Sequence, residues 1–436
     1  MNKSSRQRSD KLFELTNFDF SAFGSRSSRK IAAEDFILGF EKMLRMGKHS
    51  LLCWAMCISS ISLVKVSKQS VAKRLSSLQP DFFKQLLNNA LSTQLKRATR
   101  LPIKAKLLQH FEDVFLEDST CFNLPSNLSN VFRGAYSKKG PNSTARLQLQ
   151  MSLVKEAYCT IVLKSFTDND QSHAHAIVSS LKADQLVVRD LGYWSISAFQ
   201  QIAAKGAYFL SRFKFGTKLR LVGQQQWMSI AEFLQAQAKE GEHYIDCPIE
   251  LGKSGKAQVR LVAVKASKSV ITQRNRKARK NRDRRLRPQR DYFFYLKWTI
   301  LITNVDNNIW PKPKQCIDAY ALRWRIESVF KCWKSKLNLG KFFNQHRSLN
   351  ANRVKISIYL ILFIITQRYL KRYLKCFREI LVKQKVIISP FKFADFNVLL
   401  EDQLDSWKPQ ELLDLVSYYC RYESRRRTTY FNKIFE

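Results

Sequence analysis

Acidic residues are the scarce class in this sequence. Its 436 residues carry 35 Asp and Glu against 75 Lys and Arg, a net charge of +40. A surplus of that size creates a positive potential of several kT and implies a polyanionic partner. Nucleic acid comes first, and an acidic membrane surface competes. Long apolar runs are also missing. The best candidate, ISIYLILFII from Ile356 to Ile365, is about half the length a bilayer crossing needs, so it reads as a buried helix and a membrane-spanning role is excluded. The segment from Met1 to Lys30 is Ser-rich and basic without an apolar h-region, which excludes a secretory signal. The nine cysteines have no CxxC pair and no repeating spacing, and the closest two, Cys53 and Cys57, lie in an apolar helix-like run. That argues against structural zinc and for free thiols in a reducing cytosol. No internal repeat is present. With 45% hydrophobic residues, the chain can bury two or three cores.

Residues 1–105 read as a helical N-terminal DNA-binding region. Ile61 to Leu78 has apolar residues at helical spacing, with Ser67 as N-cap. As the second helix of a helix-turn-helix it would offer Lys68, Gln69, Lys73 and Arg74 to DNA; a solvated amphipathic helix fits the same residues. From 106 to 215 the pattern changes. VFLED (114–118), RLQLQMSLV (146–154) and AYCTIVLKSF (157–166) read as three strands. A short helix from His175 to Leu181 follows, then a strand from Gln185 to Asp190, a helix from Ser195 to Lys205 and a strand from Tyr208 to Phe215. With a later helix, this is the element order of a ribonuclease H-like α/β core. Residues 216–300 keep giving strand signals and read as a β-rich insertion, 301–345 as the last part of the core, and 346–436 as a helical C-terminal region. Within the insertion, ten of the seventeen residues from Arg274 to Arg290 are Lys or Arg, which reads as a solvated, flexible loop that also touches phosphates.

No Gly or Pro interrupts Lys314 to Leu339, which predicts one continuous helix. At roughly 100° per residue, Tyr320, Arg323, Glu327 and Lys334 fall within about 60° of one another. Leu322, Ile326, Val329, Phe330, Trp333 and Leu337 fill the adjoining core-facing arc. A carboxylate flanked by Arg, Lys and a phenol suits a divalent metal beside a phosphate backbone. The plain alternative is a surface Arg323–Glu327 ion pair, worth a few tenths of a kcal/mol. Phosphodiester chemistry by hard metals needs carboxylates converging from separate elements. In a ribonuclease H-like core these come from the first strand, the end of the fourth strand and the last helix. Asp118, Asp190 and Glu327 stand at those places, although any one Asp at a strand end also has a turn or cap role open to it.

Y-x2-R-x3-E-x6-K, from Tyr320 to Lys334 within YALRWRIESVFKCWK, resembles the Y-R-E-K signature of the insertion-sequence-4 family of bacterial cut-and-paste transposases. LEDSTCF resembles that family's first aspartate segment, RDLGYWS its second, and GAYSKKG also fits, so the likeness spans roughly residues 60 to 345. The resemblance implies a triad of Asp118, Asp190 and Glu327 with Mg2+ or Mn2+, as two ions. It implies that Tyr320, Arg323 and Lys334 hold phosphates near the element's end, and that Trp298, in YLKWTILIT, stacks on a flipped base. It further implies double-stranded DNA as partner (inverted-repeat ends and target), a hairpin intermediate, a homodimer in the synaptic complex, and a bacterial cytoplasm with nucleoid association on DNA. Two rival readings fit parts of the sequence. His173-Ala174-His175 has the pattern of a histidine-based nuclease site, but at the start of a helix its two rings diverge. A non-catalytic repressor derived from a transposase is the other, and the three intact carboxylates argue against it.

Overall fold

The structure, a computed structural model, describes Phe23 and residues 31–138, 140–238, 243–252, 257–280, 290–337, 339–344, 350–400, 408–422 and 433–435. Among the described residues four helices come first: α1 (Ala33–Arg45), α2 (Leu51–Ser62), α3 (Lys68–Ser77) and α4 (Pro80–Arg97). Local chemistry starts them. The Ser50 and Ser67 hydroxyls accept from the Cys53 and Ser70 amides, and Pro80 opens α4 where a missing N–H costs nothing. Phe36, Phe40, Trp54 and Phe83 form their core, and the Trp54 indole donates to the Phe36 carbonyl at 2.9 Å. Ser67 caps α3 as its sequence predicts, and Lys68, Gln69 and Lys73 are exposed on it.

Nine strands then form a single sheet in the order β3-β2-β1-β4-β5-β9-β8-β7-β6. β1 (Asp113–Leu124), β2 (Ser143–Ser152) and β3 (Ala157–Ser165) are an antiparallel meander. β4 (Gln185–Arg189) runs parallel to β1 on its other side, and α5 (Ile196–Ala204) crosses over to a parallel β5 (Tyr208–Arg212). That arrangement is the expected ribonuclease H-like α/β core. The β-rich insertion does not form a separate sheet. β6 (Leu219–Leu221), α6 (Ile230–Gln237), β7 (Tyr244–Leu251), β8 (Ala257–Lys265), α7 (Lys268–Arg279), α8 (Arg290–Tyr295) and β9 (Trp298–Thr303) follow in order, and β9 pairs antiparallel with β5. The insertion thus extends the core sheet sideways, and its Phe233, Ile249 and Leu261 join Val187, Phe199 and Phe209 of the core in a second apolar cluster.

α9 (Pro313–Ala321) and α10 (Trp324–Ser335) lead to a helical C-terminal region: α11 (Ala351–Ile364), a π-helical turn (Ile365–Leu370), α12 (Lys371–Gln384), α13 (Pro390–Leu400) and α14 (Pro409–Tyr419). The ISIYLILFII run lies in α11 and the start of the π turn, and is almost wholly buried in the main cluster that joins the helical regions to the sheet. Among the described residues no helix is long and apolar enough to cross a membrane. All nine cysteines are free thiols.

Three local expectations need correction. The helix expected from Lys314 to Leu339 is two helices, because Leu322 and Arg323 form a tighter turn with i→i+3 bonds from the Arg323, Arg325 and Ile326 amides at 2.9 to 3.1 Å. The helix expected over 175–181 is instead a run of short 3-10 turns, with the Val178 amide donating to His175 rather than Ala174. The Ala174 carbonyl is taken by the Arg189 guanidinium at 2.7 Å, which removes the acceptor an α-helix would need. Lastly, the basic run expected as a loop begins as the ordered helix α7. Residues 281–289 of it lie outside the described residues.

Candidate active site

Parallel register builds the site. Glu117 on β1 stands opposite Arg189 on β4, so the next residues, Asp118 and Asp190, emerge side by side where β4 stops and β1 runs on. The inner pair is fully buried, with the Arg189 Nε donating to Glu117 at 2.6 Å, and it clamps the two strands from the face away from the aspartates. A second network lies beside it. Arg146 donates to Ser119 at 3.0 Å and to Asp170 at 2.8 Å, Gln148 donates to Asp170 at 2.8 Å, and Tyr193 donates to Gln148. Gly192 lets the turn after Asp190 pass this network, since a Cβ there would lie 2.7 Å from the Asp170 carboxylate.

α10 brings the third carboxylate. Its placement comes from Arg325, whose Nε donates to the buried Glu156 at 2.5 Å and whose NH2 group donates to the Tyr373 hydroxyl at 3.0 Å. On the other face, Arg323 reaches the strands. Its guanidinium donates to Asp118 Oδ2 at 2.8 Å and to Glu327 Oε1 at 2.5 Å, and its Nε lies 3.9 Å from Asp190 Oδ1. The Tyr320 hydroxyl donates to Asp190 at 3.3 Å, and its ring lies 5.8 Å beneath the guanidinium. Asp118, Asp190, Glu327, Tyr320 and Arg323, drawn from both ends of a two-hundred-residue span, therefore meet at one point.

Electrostatics follow from this packing. Burial pushes the Asp118 carboxyl up to about 6 against the pull of Arg323 and of the Ser119 amide, while Asp190 and Glu327 push it the same way as burial. Burial works against the Arg323 charge, but Tyr320 and the three carboxylates outweigh it and hold the guanidinium protonated beyond its ordinary range. The Tyr320 phenol is raised, first by burial. Lys334 is half-buried a few residues further along α10 beside Cys121, where desolvation lowers its pKa.

Three oxygen-only carboxylates are the donor set that hard divalent ions such as Mg2+ take. As the side chains stand, no three His, Cys, Asp or Glu groups among the described residues are close enough together to chelate an ion. The carboxylates are gathered around Arg323 instead.

The family model for the transposase DDE domain matches residues 109–365, more than half of the chain. The chain belongs to the DDE transposase family. It is 23% identical to the transposase for insertion sequence element IS231E of Bacillus thuringiensis subsp. finitimus, over 80% of this chain and 74% of that one. It is 24% identical to the IS231B transposase of Bacillus thuringiensis subsp. berliner, over 75% and 70%. To the IS1151 transposase of Clostridium perfringens it is 26% identical, over 68% and 64%. A cryo-EM piggyBac transposase synaptic complex with hairpin DNA aligns at a TM-score of 0.42 and 10% identity, over 97% of this chain and 86% of that one, a degree of likeness that says nothing about mechanism.

One expected residue of the transposase is buried. Trp298 begins β9 and is only 5% exposed, packed in the second apolar cluster with Tyr295 and Ile300. As it stands, the ring offers a base no free face. The reason is strand alternation, which puts Trp298 in phase with the buried Ile300 and Ile302. Sequence reasoning missed Trp324. It is 57% exposed, with the Lys331 ammonium 5.1 Å over its ring, directly after Arg323. The signal was present, since four residues place it about 40° beyond Tyr320, off the apolar arc and next to the polar stripe.

Proposed function

We propose that this transposase cleaves DNA at the two ends of its element and joins the freed ends to target DNA by a cut-and-paste route, with Asp118, Asp190 and Glu327 as the metal-holding carboxylates. The observation that carries this reading is the meeting of three carboxylates from β1, the end of β4 and α10 on a single guanidinium. Mg2+ or Mn2+, as a pair of ions, would supply Lewis acidity and an activated water or hydroxyl there. The chain's own residues do the rest. Arg323, Tyr320 and Lys334 bind and orient the scissile phosphate, Arg323 with a planar fork that matches two phosphate oxygens. The buried pair of Glu117 and Arg189 fixes the spacing of the two aspartates. In the hairpin route, the 3′-hydroxyl left by the first cut attacks the opposite strand and a second water reopens the hairpin. The nucleotide beside the cut must then leave the stack. Trp324, exposed beside the site, is the aromatic platform we assign to it, worth roughly 1–3 kcal/mol per base.

The basic surface continues outward. Arg212, at the end of β5, is near enough to influence both Tyr320 and Arg274 of α7. Arg274 anchors α7 by donating to the Leu296 and Trp298 carbonyls at 3.1 and 2.8 Å, which leaves Arg276, Lys277, Arg279 and Lys280 exposed for a duplex backbone. Two ends require two active sites, so the working form is a homodimer on DNA. Plasmid cleavage in Mg2+ tests the reading, with denaturing gels to resolve hairpins. Glu327→Gln is nearly isosteric but loses the anionic oxygen, so it should abolish cleavage and leave DNA binding intact or tighter. A wild-type protein that binds the ends but cleaves in no divalent metal would instead be a repressor.

A further inference from the structure

Arg323 does not stand at the rim of the carboxylates; it stands among them. Its side chain is 12% exposed and takes one oxygen from Asp118 and one from Glu327 within hydrogen-bond distance. Its Nε is buried without a hydrogen-bond partner, 3.9 Å from Asp190. A divalent ion needs oxygens of these same groups at about 2.0–2.6 Å. A guanidinium 2.5 Å from Glu327 Oε1 and 2.8 Å from Asp118 Oδ2 competes for these two oxygens, and two cations there repel each other. The same fork has a second natural anion, a phosphate, which accepts two parallel hydrogen bonds in the geometry a carboxylate does. Arg323 also sits on the short turn between α9 and α10, so its side chain can swing outward without unwinding either helix.

We propose that Arg323 is the resident cation of the free transposase and that a DNA phosphate must draw it off Asp118 and Glu327 before a divalent ion can bind. The inference rests on the metal-holding reading above. Its consequence is order: metal loads productively only on the DNA complex, and a free protein with a net charge of +40 does not carry an armed nuclease. Linkage is reciprocal, so DNA tightens metal binding and metal tightens DNA binding by one factor, in the usual range of about 5- to 150-fold.

The test is a Mn2+ titration of the full-length protein, with free Mn2+ followed by its paramagnetic resonance signal. Wild type should bind Mn2+ weakly alone and at least about fivefold more tightly with a duplex of the element's terminal repeat, the duplex's own Mn2+ uptake being subtracted. R323Q, with its fold checked by circular dichroism, should bind Mn2+ more tightly than wild type without DNA and should lose most of the DNA effect. Wild-type affinity that does not change with the duplex overturns the exchange, and this arm needs no variant. So does R323Q binding Mn2+ no better than wild type. If neither protein binds Mn2+ under any condition, the metal-holding reading itself fails.

Discussion

Asp118 occupies the least comfortable position in the site. Burial favours its neutral form and raises its pKa to about 6, while Arg323 favours the charged one. A metal ligand must be ionised, so the sign is fixed: below about pH 6 a proton competes with the metal, and the competent fraction falls about tenfold for each further pH unit. In the DNA complex, where Arg323 no longer lowers this pKa, we expect Mn2+ uptake to begin falling at or above pH 6, with the midpoint moving to lower pH as Mn2+ is raised. Asp118→Asn should remove both the high-affinity uptake and its dependence on pH in this range. A midpoint near 4, the ordinary carboxylate value, would mean that DNA binding resolvates the group. At this scale the sequence was most legible where chemistry repeats along one helix. Tyr320, Arg323 and Glu327 could be placed together from spacing alone. Trp298 shows the opposite case: its role was inferred from likeness, while its period-two phase with Ile300 and Ile302 already pointed inward.

The elements owe their placement to ion pairs that no local pattern reveals. The break at Leu322 and Arg323 contains neither Gly nor Pro. It falls where Arg323 is held by Asp118 and Arg325 by Glu156, partners 205 and 169 residues away in sequence. Those pulls outweigh the helical propensity of the run, which is why its apolar stripe was legible and its division was not. The 3-10 turns before β4 follow the same logic through Arg189 and Ala174. Arg325 allows a direct measurement. Both it and Glu156 are 2% exposed, and removing one partner of such a pair leaves a buried charge, at a cost of about 3–5 kcal/mol. Arg325→Gln should therefore lower the unfolding free energy by that amount, read as a lower denaturant midpoint at an unchanged m-value. It should also lose cleavage at temperatures where it remains folded, because Glu327 rides on the same helix. A variant with wild-type stability would show that α10 is held by its apolar face alone.

For the whole molecule, the decisive fact is that the insertion prolongs the core sheet. Because β9 is antiparallel to β5, the end of β5 that carries Arg212 lies beside the start of β9, and β8 ends there too, feeding α7. The same end of the strands thus presents Asp190, Arg212 and a twelve-residue helix without a single acidic residue. Composition had announced a polyanion partner but could not say where it would lie, since strand order across a long insertion is set by pairing and not by any local signal. Counterion release makes the surface measurable: each phosphate neutralised adds about 0.9 to the slope of log affinity against log salt. Replacing Arg276, Lys277, Arg279 and Lys280 with Ala should flatten that slope by up to about 3.6 while shifting the thermal melt little, since these side chains are exposed and Arg279 gives up one ring contact with Phe293. Cleavage at low salt should persist, because the carboxylates and Arg323 are untouched. A slope identical to wild type would mean that the duplex leaves the site in another direction, and that α7 is charged only for the sake of solvent.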